Sequence, residues 1–168
     1  MGWMFYGCSI LKQINGLNIF NTNKVTNMKS MFQECKELEY LDLSNFNTSN
    51  VTVMSWMFSG CNKLKQVKGI NNFNINKPTV DEMFNDCDNL GIFILKFLST
   101  NQEINNFSMI CHKSDIFSNV IQKLYLKFPK FDKNNIEFTA NGGIIDSSKT
   151  LEKNNIKKNT SILMCEFD

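Results

Sequence analysis

No arginine occurs in the 168 residues, so the entire basic complement of 18 is lysine. Arginine's planar fork is the preferred partner of phosphates and guanine edges, and its absence argues against a nucleic-acid partner. Histidine occurs once, at His112, and prolines number two. No apolar run approaches the roughly 18 residues that a membrane-spanning helix needs. The opening residues, Met1-Gly2-Trp3-Met4-Phe5-Tyr6-Gly7-Cys8, have neither the basic region nor the apolar core of a signal peptide, and the six cysteines, read as free thiols and not as disulfides, give an expected intracellular, cytoplasmic location. Phosphate-binding glycine loops and nucleophile elbows are missing as well. What remains is ordinary for a soluble globular chain: 42% apolar, 20% charged and a net charge of +2. The length allows one domain or two small ones.

The most informative feature present is a phrase that recurs through the first half. Trp3-Met4-Phe5-Tyr6-Gly7-Cys8, Met31-Phe32-Gln33-Glu34-Cys35, Trp56-Met57-Phe58-Ser59-Gly60-Cys61 and Met83-Phe84-Asn85-Asp86-Cys87 place their cysteines 27, 26 and 26 residues apart. A leucine follows each cysteine by three residues, at Leu11, Leu38, Leu64 and Leu90. A fixed period of this length signals units that stack, because none can bury its apolar face alone. Within one unit, Leu41 and Leu43 alternate around Asp42 as in a strand, whereas Val51, Met54, Met57, Phe58 and Cys61 are spaced as on one side of a helix. One strand and one short helical turn per unit is therefore expected. Cysteines at a shared phase are expected as buried thiols rather than disulfides, and with no histidine or Cys-x-x-Cys pair nearby they are not expected to hold a metal.

The phrases Leu41-Asp42-Leu43-Ser44-Asn45-Phe46-Asn47-Thr48-Ser49-Asn50-Val51-Thr52 and Met57-Phe58-Ser59-Gly60-Cys61 resemble BspA-type leucine-rich repeats over about residues 3–90. The resemblance implies a short solenoid of about three and a half units, whose exposed strand residues form a protein-binding face. Glu39, Tyr40, Asp42, Lys65, Gln66 and Lys68 are the candidates there, flanked by Lys12, Gln13 and Ser44. At the open end of such a stack Trp3, Met4, Phe5 and Leu11 are expected to be partly exposed, making an apolar patch suited to self-association as a homodimer.

After Leu90 the period stops. Gly91 to Ser99 reads as an apolar strand, Phe107, Met109 and Cys111 as a second, and Ile136 to Ala140 as a third before an Asn141-Gly142-Gly143 turn. Ser161 to Phe167 is the last. Ser114-Asp115 is expected to cap a helix that buries Phe117, Val120, Leu124 and Phe128 and closes at Pro129. The segments Ser114-Asp115-Ile116-Phe117-Ser118-Asn119-Val120, Ile136-Glu137-Phe138-Thr139-Ala140-Asn141-Gly142-Gly143 and Lys149-Thr150-Leu151 to Asn159-Thr160-Ser161-Ile162-Leu163-Met164 resemble ubiquitin-like domains over about residues 92–167. The resemblance implies a β-grasp fold with a recognition patch at Thr139, Leu163 and Cys165. It implies no conjugation, because the chain ends Cys165-Glu166-Phe167-Asp168 and not Gly-Gly.

Catalysis has little to rest on. Cys111 and His112 are adjacent, but neighbours on a strand point to opposite faces and cannot readily share a hydrogen bond. The expectation is an α+β chain of two domains, a leucine-rich-repeat solenoid (residues 1–91) and a ubiquitin-like domain (residues 92–168). Its expected role is that of a non-enzymatic protein-interaction module with no cofactor, no metal and no catalytic residue. Two alternatives are an assembly protein joining copies through the open end, and a fragment of a surface or adhesin-type repeat protein.

Overall fold

A computed structural model describes residues 1–100, 106–129, 136–157 and 160–166. The chain forms two compact units, Met1–Ile92 and Phe93–Asp168.

In the N-terminal unit the four Met-Phe-x-x-Cys phrases lie one on another. Backbone N–H groups of Trp3, Phe5 and Gly7 donate to the carbonyls of Lys29, Met31 and Gln33 at 3.0, 2.9 and 2.8 Å. Ser30, Phe32 and Glu34 donate in the same way to Ser55, Met57 and Ser59, and Trp56, Phe58 and Gly60 to Asp81, Met83 and Asn85. Phe5, Phe32, Phe58 and Phe84 form a column of near-parallel rings with centroids 5.4, 5.7 and 5.6 Å apart. Beside it the thiols of Cys35, Cys61 and Cys87 donate to the carbonyls of Phe5, Phe32 and Phe58, each in the preceding repeat. The 26-residue period thus exists because ring, thiol and backbone donor must each meet their counterpart one layer away.

The layers are built differently from expectation. Trp3, Ser30, Trp56 and Glu82 share one repeat position, and all have left-handed backbone with φ between 53° and 65°. Four residues on, Gly7, Glu34, Gly60 and Asp86 are left-handed too. Right-handed helix cannot pass through such residues, so the spacing at Val51, Met54, Met57, Phe58 and Cys61 belongs to a chain of tight turns. The strand half is equally reduced. Only β1 (Tyr40–Asp42) and β2 (Gln66–Lys68) form, as a parallel pair with Leu41 opposite Val67. Short 3-10 turns stand at Leu17–Ile19, Ile70–Asn72 and Asp88–Leu90. The expected leucine-rich-repeat solenoid of strand-plus-helix units is therefore not what these residues form.

The C-terminal unit is one five-stranded mixed sheet and one helix. The strands are β3 (Ile92–Ser99), β4 (Phe107–His112), β5 (Ile136–Ala140), β6 (Gly143–Ile144) and β7 (Ser161–Glu166), in the order β4-β3-β7-β5-β6. β7 runs parallel to β3 and antiparallel to β5. Helix α1 (Phe117–Lys127) buries Phe117, Val120 and Leu124. They join a core of Phe97, Phe107, Cys111, Phe138, Leu151, Ile156, Ile162 and Met164. Ser114 and Asp115 do not cap the helix. Its N-cap is Ile116, with no side-chain cap bond, while Ser114 and Asp115 bond to His112. The described residues are thus sheet and turns with a single helix, in place of a solenoid fused to a ubiquitin-like β-grasp domain.

Candidate functional site

Three surfaces carry the residues singled out in the sequence. The first is the exposed edge of β1 and β2. Leu41 and Val67 point inward, which turns Tyr40, Asp42, Gln66 and Lys68 outward, with Glu39 and Lys65 just before them. The charges on this edge are already matched. Lys63 reaches Glu37 at 2.8 Å, Lys65 reaches Glu39 at 2.7 Å, and Lys68 reaches Asp42 at 2.9 Å. The bond from Lys65 lowers the Glu39 pKa. Bonds from the Ser44 backbone, then from its side chain and from Lys68, hold Asp42 down to about 2. Lys63 and Lys68 are raised by the hydrogen bonds to Glu37 and Asp42. Each pair spans 26 residues, so the repeat period was the signal that could have revealed them. A ladder whose charges satisfy one another offers a partner little net field.

The second surface is the outer face of the five-stranded sheet. Leu98, Leu163, Thr139 and Ile144 stand side by side across β3, β7, β5 and β6. Leu163 is exposed and Ile144 strongly so, whereas Cys165 lies half-buried opposite Glu137. Thr139 and Leu163 therefore share a row, and Cys165 belongs to the next one. Ile144 escaped the sequence reading because it sits in a two-residue strand just past a glycine turn.

The third surface is the first layer of the stack. Trp3 is 50% exposed, Met4 48%, Tyr6 49% and Ile10 87%. Phe5 and Leu11 are half-buried, because Phe5 meets another ring on one face only. The corresponding Met31, Phe32, Met57 and Phe58 are fully buried. Trp3, Met4, Phe5 and Leu11 are thus each exposed or half-buried, and the Trp3 ring meets that of Tyr6 edge-on with centroids 5.2 Å apart.

All six cysteines are thiols. Burial pushes Cys35 up to about 11. The hydrogen bond with Cys87, followed by burial, raises Cys61 strongly. Cys8, in the first layer, is half-buried. Cys111 is buried and pushed up to about 12 by desolvation and then by Asp115. Its neighbour His112 bonds through Nδ1 to the Ser114 hydroxyl at 2.6 Å. Among the described residues no cluster of three or more His, Cys, Asp or Glu side chains is arranged to hold a metal, and no helix is long and apolar enough to cross a membrane.

The family described as "Mycoplasma protein of unknown function, DUF285" matches residues 1–125. The match runs through the whole N-terminal unit and on to Tyr125 in α1. It replaces the expected pairing of BspA-type leucine-rich repeats with a separate ubiquitin-like domain. The surface or adhesin reading drawn from the BspA resemblance loses its basis with it. No curated protein matches the chain.

Proposed function

The chain belongs to the DUF285 family, and from the geometry of its own N-terminal unit we propose that it acts as a non-enzymatic protein-interaction module. One observation carries the reading: the first layer leaves Trp3, Met4 and Tyr6 about half exposed and Ile10 strongly so, with the Trp3 and Tyr6 rings in edge contact, whereas the methionines at the Met4 position in the next two layers, Met31 and Met57, are fully buried. Large apolar groups grouped on a surface mark association sites, and aromatic residues dominate the energetics of such sites. The β1–β2 edge is the poorer candidate, since its carboxylates are already paired with lysines. The buried, raised Cys111 thiol supports a structural rather than a nucleophilic role.

The same patch also favours an assembly role, in which a second copy covers it. Affinity capture with the native protein and with a Trp3→Ser/Met4→Ser variant, beside sedimentation at rising concentration, tests both. A protein retained by the native chain and lost by the variant is expected. In the assembly case, oligomers that the variant abolishes replace that protein. Identical capture and identical sedimentation of both proteins would overturn the proposal.

A further inference from the structure

Trp3 and Trp56 occupy the same position two repeats apart, and the repeat between them has Ser30 there. Successive rings in the phenylalanine column step by 5.4 and 5.7 Å. A serine in place of the middle indole therefore leaves a gap between the two tryptophans about one layer wide. The gap is filled by a cation. The Lys29 ammonium lies 5.7 Å from the Trp3 ring centroid and 4.9 Å from that of Trp56. Among the described residues no carboxylate pairs with Lys29. Ser30 is 0% exposed, and its hydroxyl is the one buried side-chain polar atom without a partner among the described residues. Trp3 is half exposed and Lys29 and Trp56 are partly exposed, so the ammonium between the rings is reached by solvent.

We propose that the gap between Trp3 and Trp56 is a binding site for a methylated ammonium group, with Lys29 as its resident, displaceable cation. Both ring distances fall within the roughly 6 Å over which a cation is drawn to an aromatic face. Both are longer than the ~3.5–4.0 Å of close van der Waals contact, so a bare ammonium leaves slack that methyl groups fill. Residues 1–33 contain no Asp or Glu. The aromatic faces therefore supply the attraction, and the positive charge of the displaced Lys29, which stays tethered beside the site, opposes binding and is what Lys29→Ala removes. The displaced Lys29 recovers the rotamer freedom of a long side chain in water.

The test is titration of tetramethylammonium chloride into the native protein, Lys29→Ala and Lys29→Ala/Trp56→Ala, against sodium chloride at equal ionic strength, followed by tryptophan fluorescence. Circular dichroism confirms that each variant is folded. Saturable quenching of the native protein is expected, with at least tenfold tighter binding in Lys29→Ala and at least tenfold weaker binding once Trp56 is removed as well. Choline and Nε-trimethyl-lysine at matched concentrations then show whether a headgroup or a modified side chain is the better source of the group. Quenching by tetramethylammonium that equals the sodium control in the native protein would overturn the proposal, even if neither variant folds. So would saturable binding that is indifferent to Trp56.

Discussion

Replacing Phe58 by alanine removes a ring that is 0% exposed and stacked on both faces, with Phe32 at 5.7 Å and Phe84 at 5.6 Å. Burial and stacking are lost together and a cavity is left between two layers. The cost expected for such a change is about 3–5 kcal/mol. Phe5→Ala removes the same atoms from a half-buried ring stacked on one face only, at 5.4 Å from Phe32. Roughly half the loss follows, about 1.5–2.5 kcal/mol. Both tryptophans, Trp3 and Trp56, lie in the N-terminal unit, so selectively excited tryptophan fluorescence during thermal unfolding reports that unit and leaves out Tyr125 of the other. In a unit of this size each kcal/mol moves the thermal midpoint by about 4–8 °C, so the two variants should differ by about 6 °C or more. Equal losses for Phe5→Ala and Phe58→Ala would refute the column as the source of stability. A small loss at Phe58 would do so as well.

Gly69→Ala should destabilise more than Gly16→Ala, although both glycines are left-handed at φ +84° and +82°. The added Cβ at Gly69 meets the Ser44 Cα at 2.6 Å, while at Gly16 nothing lies within 4 Å. Gly16→Ala should therefore cost only the left-handed penalty of about 1–2 kcal/mol, and similar urea midpoints for the two would count against the close layer packing at Ser44. Alkylation at pH 8 followed by mass spectrometry should label Cys8 and Cys165 first and leave Cys35, Cys61, Cys87 and Cys111 protected until unfolding. Early labelling of Cys61 would contradict the buried thiol ladder. Asp42 and Asp146 have their pKa values lowered from 3.8 to about 2 in the folded chain. The native state then binds fewer protons than the unfolded state, so their contribution is complete above about pH 4 and lost as pH falls toward 2. Asp42→Asn should flatten the acid-unfolding curve in that window, and an unchanged slope would contradict the Ser44 and Lys68 contacts.

The period was legible because Met, Phe and Cys recur together, and the ring column and thiol ladder need those three at one phase. The conformation within each layer was not legible. Residues spaced by three and four fit a helix face, but the left-handed turns at Ser30, Trp56 and Glu82 fall on residue types that give no such signal. In the C-terminal unit, alternation located β3, β4 and β5 to within a residue, and Phe117, Val120 and Leu124 marked the buried face of α1. The helix start was misjudged because Asp115 accepts from the His112 backbone and Ser114 pairs with its ring, which leaves neither side chain free to cap. Of the first-layer residues, Trp3 and Met4 were named from the sequence and are about half exposed. Tyr6 and Ile10 were missed because they lie off the repeat's inward phase.

The interaction account is tested most directly by oxidative footprinting of the protein alone and in the complex it forms in its own cell extract. Protection of Trp3, Met4, Tyr6 and Ile10 in the complex, with Leu126 and Ile144 labelled equally in both samples, is the predicted result. Unchanged labelling of the first layer, with protection confined to Ile144 and Leu163 or to the β1–β2 edge, would contradict it.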